Sequence, residues 1–157
     1  MYTIFIILCV GGETMRLYQN ILVGIDVHGP NWEKPFQKAC AYAKNQDATL
    51  HIATVLNIKA NTIQDRPDQK SEKIQNDAYE VLENYQQKAK AKGVSHVNTI
   101  LNAGSPQARI TRHLTPEYDI DLIIIGATRE NRMENVIVGS VANAIVREAR
   151  CDVLTVR

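Results

Sequence analysis

Apolar residues in this chain come in short unbroken runs, separated by longer stretches with the three-to-four spacing of a helix. Residues 20–27 (NILVGIDV) are the first run and are followed by His-Gly-Pro. A run that short, closed by turn-forming residues, predicts a buried strand. From Trp32 the apolar positions are Trp32, Phe36, Ala39, Cys40 and Ala43, which predicts a helix with Asn31 as its N-cap. Residues 48–56 (ATLHIATVL) predict a second strand. Residues 57–69 are polar, contain Pro67 and show no period, so they read as a loop. Ile74, Ala78, Val81, Leu82, Tyr85 and Ala89 then mark one face of a long amphipathic helix. Lys88, Lys90, Lys92 and Gly93 suit its carboxyl end.

The second half repeats the alternation. Residues 96–102 (HVNTILN) predict a third strand. In the turn Ala103-Gly104-Ser105-Pro106, Ser105 is the N-cap and Pro106 the first helical residue. The helix that follows carries Ala108, Ile110 and Leu114 and is expected to stop at Pro116. Residues 121–126 (DLIIIG) predict a fourth strand buried on both faces. A polar stretch leads to Gly139-Ser140, after which Val141, Ala142, Ile145, Val146 and Ala149 form a helical face. Residues 152–156 (DVLTV) predict a fifth strand.

Strands alternating with helices predict an α/β fold: an open five-stranded parallel sheet with helices on both faces, doubly wound and Rossmann-like. The expected organisation is an extension over residues 1–18 and one domain over residues 19–157, with no internal repeat or linker. Residues 2–10 (YTIFIILCV) are apolar but lack the basic flank and A-x-A site of a signal peptide. Met15 is the expected natural start.

The length of 157 residues fits one domain, and 45% hydrophobic with 22% charged residues excludes a disordered chain. Eighteen basic against seventeen acidic residues leave a net charge of +1, which gives no footprint for general nucleic-acid binding. No apolar run approaches the ~20 residues of a membrane-spanning helix. Cys9, Cys40 and Cys151 form no CxxC pair, and a scattered odd count fits the reducing cytoplasm.

Candidate chemistry lies where polar residues interrupt strand ends. Ligands of open α/β sheets bind beyond the carboxyl ends of the strands, where the strand order reverses. Asp26 ends the first strand and Gly126 the fourth, so both face one crevice if those strands are neighbours. The last long helix starts at Gly139-Ser140, and a helix N-terminus holds anions through its free N–H groups. A glycine at 139 admits a phosphate close to the backbone, and Ser140 adds a hydroxyl. There is no GxxxxGK[ST], no GxGxxG and no GxSxG. His28, His51, His96 and His113 have no metal-ligand spacing. No catalytic residue and no metal ligand is therefore assigned. The bland roles are capping for Asp26 and Ser140, close packing for Gly126, and core for Val55 and Val141.

Three segments, NILVGID, DLIIIGA and GATRENRMENVIVGSVANAIVREARCDVLTV, together resemble the single-domain form of the universal stress protein family over about residues 19–157. ATP-binding members of that family carry Gly, two residues, Gly, nine residues, Gly, then Ser or Thr. Here Gly126, Gly139 and Ser140 keep the spacing, and Arg129 replaces the middle glycine. Three roles are open to Arg129: a guanidinium on a phosphate, a side chain obstructing the loop, or, like Arg132, a solvated loop charge. The resemblance implies ATP or another adenine nucleotide, with Mg as its companion ion. It implies Asp26 at the ribose or adenine end, Val55 in the adenine pocket and Val141 against the ribose or phosphates. It also implies a homodimer, and the last strand (Asp152 to Val156), as an open edge, invites pairing with a second copy. No general base stands near the proposed phosphates, so at most slow hydrolysis is expected. The alternative is a stress protein that binds no nucleotide and acts as a dimeric interaction scaffold.

Overall fold

Each of the five apolar runs becomes a strand: β1 (Asn20–Gly24), β2 (Thr49–Leu56), β3 (His96–Ala103), β4 (Leu122–Gly126) and β5 (Asp152–Val156). The computed structural model describes residues 17–26, 32–57, 69–127 and 139–157. The expectations for residues 1–16 (Met15 among them), His28, the Asn31 cap, most of the 57–69 loop, and Arg129 lie outside these residues. The strands form one sheet in the order β3-β2-β1-β4-β5, with every neighbouring pair parallel. β1 is central: Ile21 lies beside Leu50 on one side and Leu122 on the other.

Four helices cover the sheet: α1 (Glu33–Gln46), α2 (Gln69–Ala91), α3 (the consecutive segments Pro106–Ala108, Arg109–Leu114 and Thr115–Glu117) and α4 (Ser140–Glu148). Two apolar layers result. Phe36, Ala39 and Ala43 of α1 with Leu82 and Ala89 of α2 pack on one face. Ile110 and Leu114 of α3 with Ala142 and Ile145 of α4 pack on the other. Being covered on both faces explains why β1 and β4 are unbroken apolar runs: Ile21, Leu22, Val23, Ile123 and Ile124 are all fully buried. Between α1 and α2 the rings of Phe36 and Tyr85 meet edge to face, centroids 4.7 Å apart.

Helix ends follow local chemistry. Gly93 closes α2 with φ +91°, and the Val94 N–H reaches back to the Ala89 carbonyl at 3.1 Å, the six-to-one bond of a left-handed helix stop. Ser105 is at the N-cap of α3 and Pro106 is its first residue, as the turn chemistry predicts, although the Ser105 hydroxyl makes no capping bond. The helix stops at Glu117, one residue past Pro116 and so about where the proline is expected to end it. Residues Arg109–Leu114 form a wide π turn in which the Thr115 N–H bonds to Ile110 O, five residues back. The ladder has already shifted before the proline ring, and Pro116 is taken in with its ring exposed. β1 stops at Gly24 rather than residue 27, and Ile25 donates one further bond to Ala53 O at 2.8 Å.

The amino ends of the strands carry a separate polar network. Asp121 accepts from the backbone N–H groups of Gln19 (2.7 Å) and Asn20 (3.2 Å), and so ties the start of β1 to β4. His51 on β2 is buried; Asn98 on β3 donates to its Nδ1 at 3.2 Å, and its Nε2 lies 3.3 Å from Asn20 Oδ1 on β1. Burial lowers the His51 pKa below its ordinary 6.5, with Asp121 pulling the other way. No helix among the described residues is long and apolar enough to cross a membrane.

Candidate functional site

The strand order places the site. From β1 the chain winds to β2 and β3 on one side; β4 and β5 occupy the other. The reversal lies between β1 and β4, where the diverging crossovers leave a crevice at the carboxyl ends. A cavity of about 460 Å³ opens there, within the range of small-molecule sites. Residues 24–26 at the end of β1 and just beyond it, 53–57 at the end of β2, and Ile125 and Gly126 of β4 form its floor. Trp32, Ile74 of α2, Pro106 and Ile110 of α3, and Val141, Ala142 and Ile145 of α4 form its walls.

Short backbone bonds hold the floor. The buried Thr54 hydroxyl donates to Ile25 O at 3.0 Å and the Ile25 N–H to Ala53 O at 2.8 Å, which together fix the segment carrying Asp26. The Gly104 N–H donates to Leu56 O at 2.9 Å and the Ala127 N–H to Val156 O at 2.8 Å, so the exits of β3 and β4 are also tied to their neighbours.

Of the residues singled out from sequence, Asp26, Val55, Gly126 and Val141 all line this one cavity. Asp26 is exposed and Val55 half-buried. Val141 is no core residue: its side chain is 40% exposed at the cavity wall. Gly139 and Ser140 are not part of the described lining; they precede Val141 at the N-terminus of α4. Gly139, not Ser140, holds the N-cap position, and Ser140 is the first helical residue with an exposed side chain. The Gly139 backbone (φ −54°, ψ 151°) is one that any residue adopts, so its glycine is not needed for conformation.

Gly126 has a packing reason of its own. A Cβ placed on it would lie 3.2 Å from Cζ3 of Trp32 and 3.3 Å from Cγ of Pro35. Trp32, Thr54, Ile74 and Ile110 are cavity residues that the sequence pattern does not single out. Trp32, Ile74 and Ile110 fall in phase with the core positions of their helices, and Thr54 falls inside a strand. The one signal available was that the chain's single tryptophan directly follows the loop after β1.

Among the described lining residues Asp26 is the only ionisable side chain, and the rest are apolar or neutral. No group of three or more potential metal ligands occurs among the described residues. Cys40 and Cys151 are free thiols pushed up to about 11 by burial, and neither lines the cavity. The arrangement can enclose a largely apolar, flat molecule and accept a hydrogen bond from it at Asp26.

Known proteins share this architecture. A Staphylococcus haemolyticus protein named as a universal stress protein is 41% identical over 145 residues, covering 91% of this chain and 87% of its own length. The solved structure of the universal stress protein UspA from Lactobacillus plantarum superposes with a TM-score of 0.72 at 27% identity, over 89% of this chain and 98% of its own. A universal stress protein solved in complex with cAMP gives a TM-score of 0.73 at 23% identity, over 89% of this chain and 97% of its own. Residues 17–157 match the universal stress protein family as a whole. With the parallel β3-β2-β1-β4-β5 sheet and nearly the full length of its relatives matched, this chain belongs to the universal stress protein family.

Proposed function

We propose that the cavity between the ends of β1 and β4 binds an adenine nucleotide, ATP or a relative of it. The protein then acts as a nucleotide-binding regulator of a stress response rather than as an enzyme. The observation that carries this reading is the convergence of Asp26, Val55, Gly126 and Val141 on one cavity at the switch point of the sheet. The base and ribose lie among Asp26, Val55 and Val141. The phosphates run along the segment from Gly126 to Ser140 and reach the N-terminus of α4, with Arg129 beside them and Mg as companion ion. The cAMP-bound relative supports an adenine ligand for this fold. Calorimetric titration of adenine nucleotides into the purified protein tests the reading, together with the ultraviolet absorbance of small molecules released on denaturation. Saturable binding supports it, and absence of binding in every case rejects it.

The protein acts in the cytoplasm as a homodimer paired along β5. That strand is one edge of the sheet, and its Val153, Leu154 and Thr155 are only half-buried. The second reading, a dimeric scaffold without nucleotide, is favoured by Arg129 standing where ATP-binding relatives have glycine. The same titrations separate the two.

A further inference from the structure

The ladder between β1 and β2 ends at the cavity through a side chain. Its last backbone pair is Gly24 with Ala53, and beyond it the Ile25 N–H still donates to Ala53 O at 2.8 Å. In a parallel ladder, a residue that donates to one position of its neighbour accepts from the position two places further on. The next bond would therefore run from the Val55 N–H to Ile25 O. The Thr54 hydroxyl holds that oxygen instead, at 3.0 Å. Thr54 is 1% exposed, so water does not compete for the bond. Backbone groups of successive strand residues face alternate edges, so the N–H and C=O of Val55 face the same edge as Ala53 O, the side of β1. Pairing with β1 has stopped there, and Val55 lines the cavity.

Two parts of the site therefore meet at one hydroxyl. A backbone donor and acceptor of Val55 are turned toward the cavity, a pair that suits the edge of a planar base carrying an acceptor beside a donor. The chain after β1 is held at Ile25, and Asp26 is the next residue. Resting on the nucleotide reading, we propose that Thr54 is a positioning residue for the ligand: its hydroxyl ends the ladder one bond early, keeps the Val55 backbone open to the base and holds Asp26 at the rim. A valine at this position has nearly the same shape and no hydroxyl. It leaves Ile25 O to the Val55 N–H, the donor a continued ladder would use, and so closes the ladder across the place of the base edge.

The test is calorimetric titration of AMP, with residue-resolved amide exchange of Val55, in the wild type, Thr54→Ser and Thr54→Val. In the wild type, saturation with AMP is expected to slow Val55 exchange by at least about tenfold. Thr54→Val is expected to show slowed Val55 exchange without ligand and to bind AMP at least about tenfold more weakly than the wild type. Thr54→Ser keeps the hydroxyl and is expected to bind AMP within about threefold of the wild type. A merely structural loss at this position would loosen the strand ends and speed Val55 exchange. Faster exchange in Thr54→Val, AMP affinity in it equal to that of the wild type, or an equal loss of affinity in Thr54→Ser overturns the inference and leaves the nucleotide reading standing. So does unchanged Val55 exchange in the AMP-saturated wild type, which decides the matter even if Thr54→Val does not fold. Failure of every adenine nucleotide to bind the wild type rejects the nucleotide reading itself and takes this inference with it.

Discussion

The hydroxyl of Tyr18 donates to Oδ2 of Asp152 at 2.8 Å, joining the residue two places before β1 to the first residue of β5 across the intervening β4. Tyr18 is 5% exposed, and its backbone N–H donates to Gln46 Oε1 at 2.7 Å, so the entry to the central strand is anchored to α1 as well. Burial first, and the Asp152 bond second, push the phenol well above its ordinary range. Tyr18→Phe keeps the ring and removes the bond. It is expected to lower stability by about 1 kcal/mol in urea denaturation, the usual net worth of one hydrogen bond. Ligand affinity should not change, because this contact lies at the amino ends of the strands. An unchanged denaturation midpoint would show that the bond adds nothing.

The buried His51 makes stability depend on pH with a definite sign. Burial holds its pKa below the ordinary 6.5, so the folded chain favours the neutral ring. The unfolded chain binds the extra proton more readily. This contribution is complete above pH 6.5 and is lost as the pH falls through that value toward the folded pKa. Asn98 already donates to Nδ1, so a proton there meets a donor; Asn20, the Tyr118 ring 5.2 Å away and Asp121 are the other groups facing it. Melting temperature is expected to fall between pH ~7 and ~5, and His51→Gln should flatten that slope. An equal slope in the variant assigns the acid sensitivity elsewhere.

At the N-terminus of α4, Ser140→Ala should weaken binding of a phosphorylated ligand by about 1–3 kcal/mol, the range for a hydrogen bond to a charged group. Gly139→Val should abolish it. The Gly139 backbone tolerates any side chain, so this loss would report space needed by the ligand and not a strained chain. Full affinity in Gly139→Val removes the phosphates from this helix end.

Arg129→Gly places a glycine between Gly126 and Gly139, as in the spacing pattern that this segment resembles. If the guanidinium grips a phosphate, the variant should bind AMP more weakly relative to adenosine, most visibly at low salt. We expect that outcome. Tighter binding in the variant would assign Arg129 the obstructing role instead.

Association along β5 calls for a probe that spares the core. Val156 is 5% exposed and Leu154 packs against the buried layer, so charges there would report folding. Thr155 is half-buried on the open edge. Thr155→Lys, a charge of the kind that blunts exposed edges, should shift a wild-type dimer toward monomer in sedimentation at unchanged melting temperature. A wild type that sediments as a monomer rejects the dimer.

The strands were legible because burial on both faces leaves no freedom in composition: Ile123 and Ile124 can be little else between two helical layers. Their order was not, since every parallel strand of this kind has the same pattern, and only pairing sets Ile21 beside Leu122. The site was half legible. Asp26 and Gly126 break apolar runs and so mark strand ends. Trp32 and Ile74 were hidden because a wall residue at the top of a helix falls in phase with the core residues below it. Pro116 was legible as a helix stop to within one residue, but the wide turn over Arg109–Leu114 that precedes it was not, because no residue type marks it.

The central position of β1 has a consequence for how the chain is made. One edge of β1 pairs with β2, which follows within about one helix of sequence; the other waits for β4, whose Leu122 comes a hundred residues after Ile21. On the ribosome, at ~5–20 residues per second, the wait from Ile21 to Leu122 lasts roughly 5–20 s with an apolar edge of β1 uncovered, and the first three strands stand complete for about the last 1–5 s of it. That nascent half has the features a chaperone binds, and mutations that slow β4 should show first as aggregation of newly made chains, before any loss of stability in the finished protein.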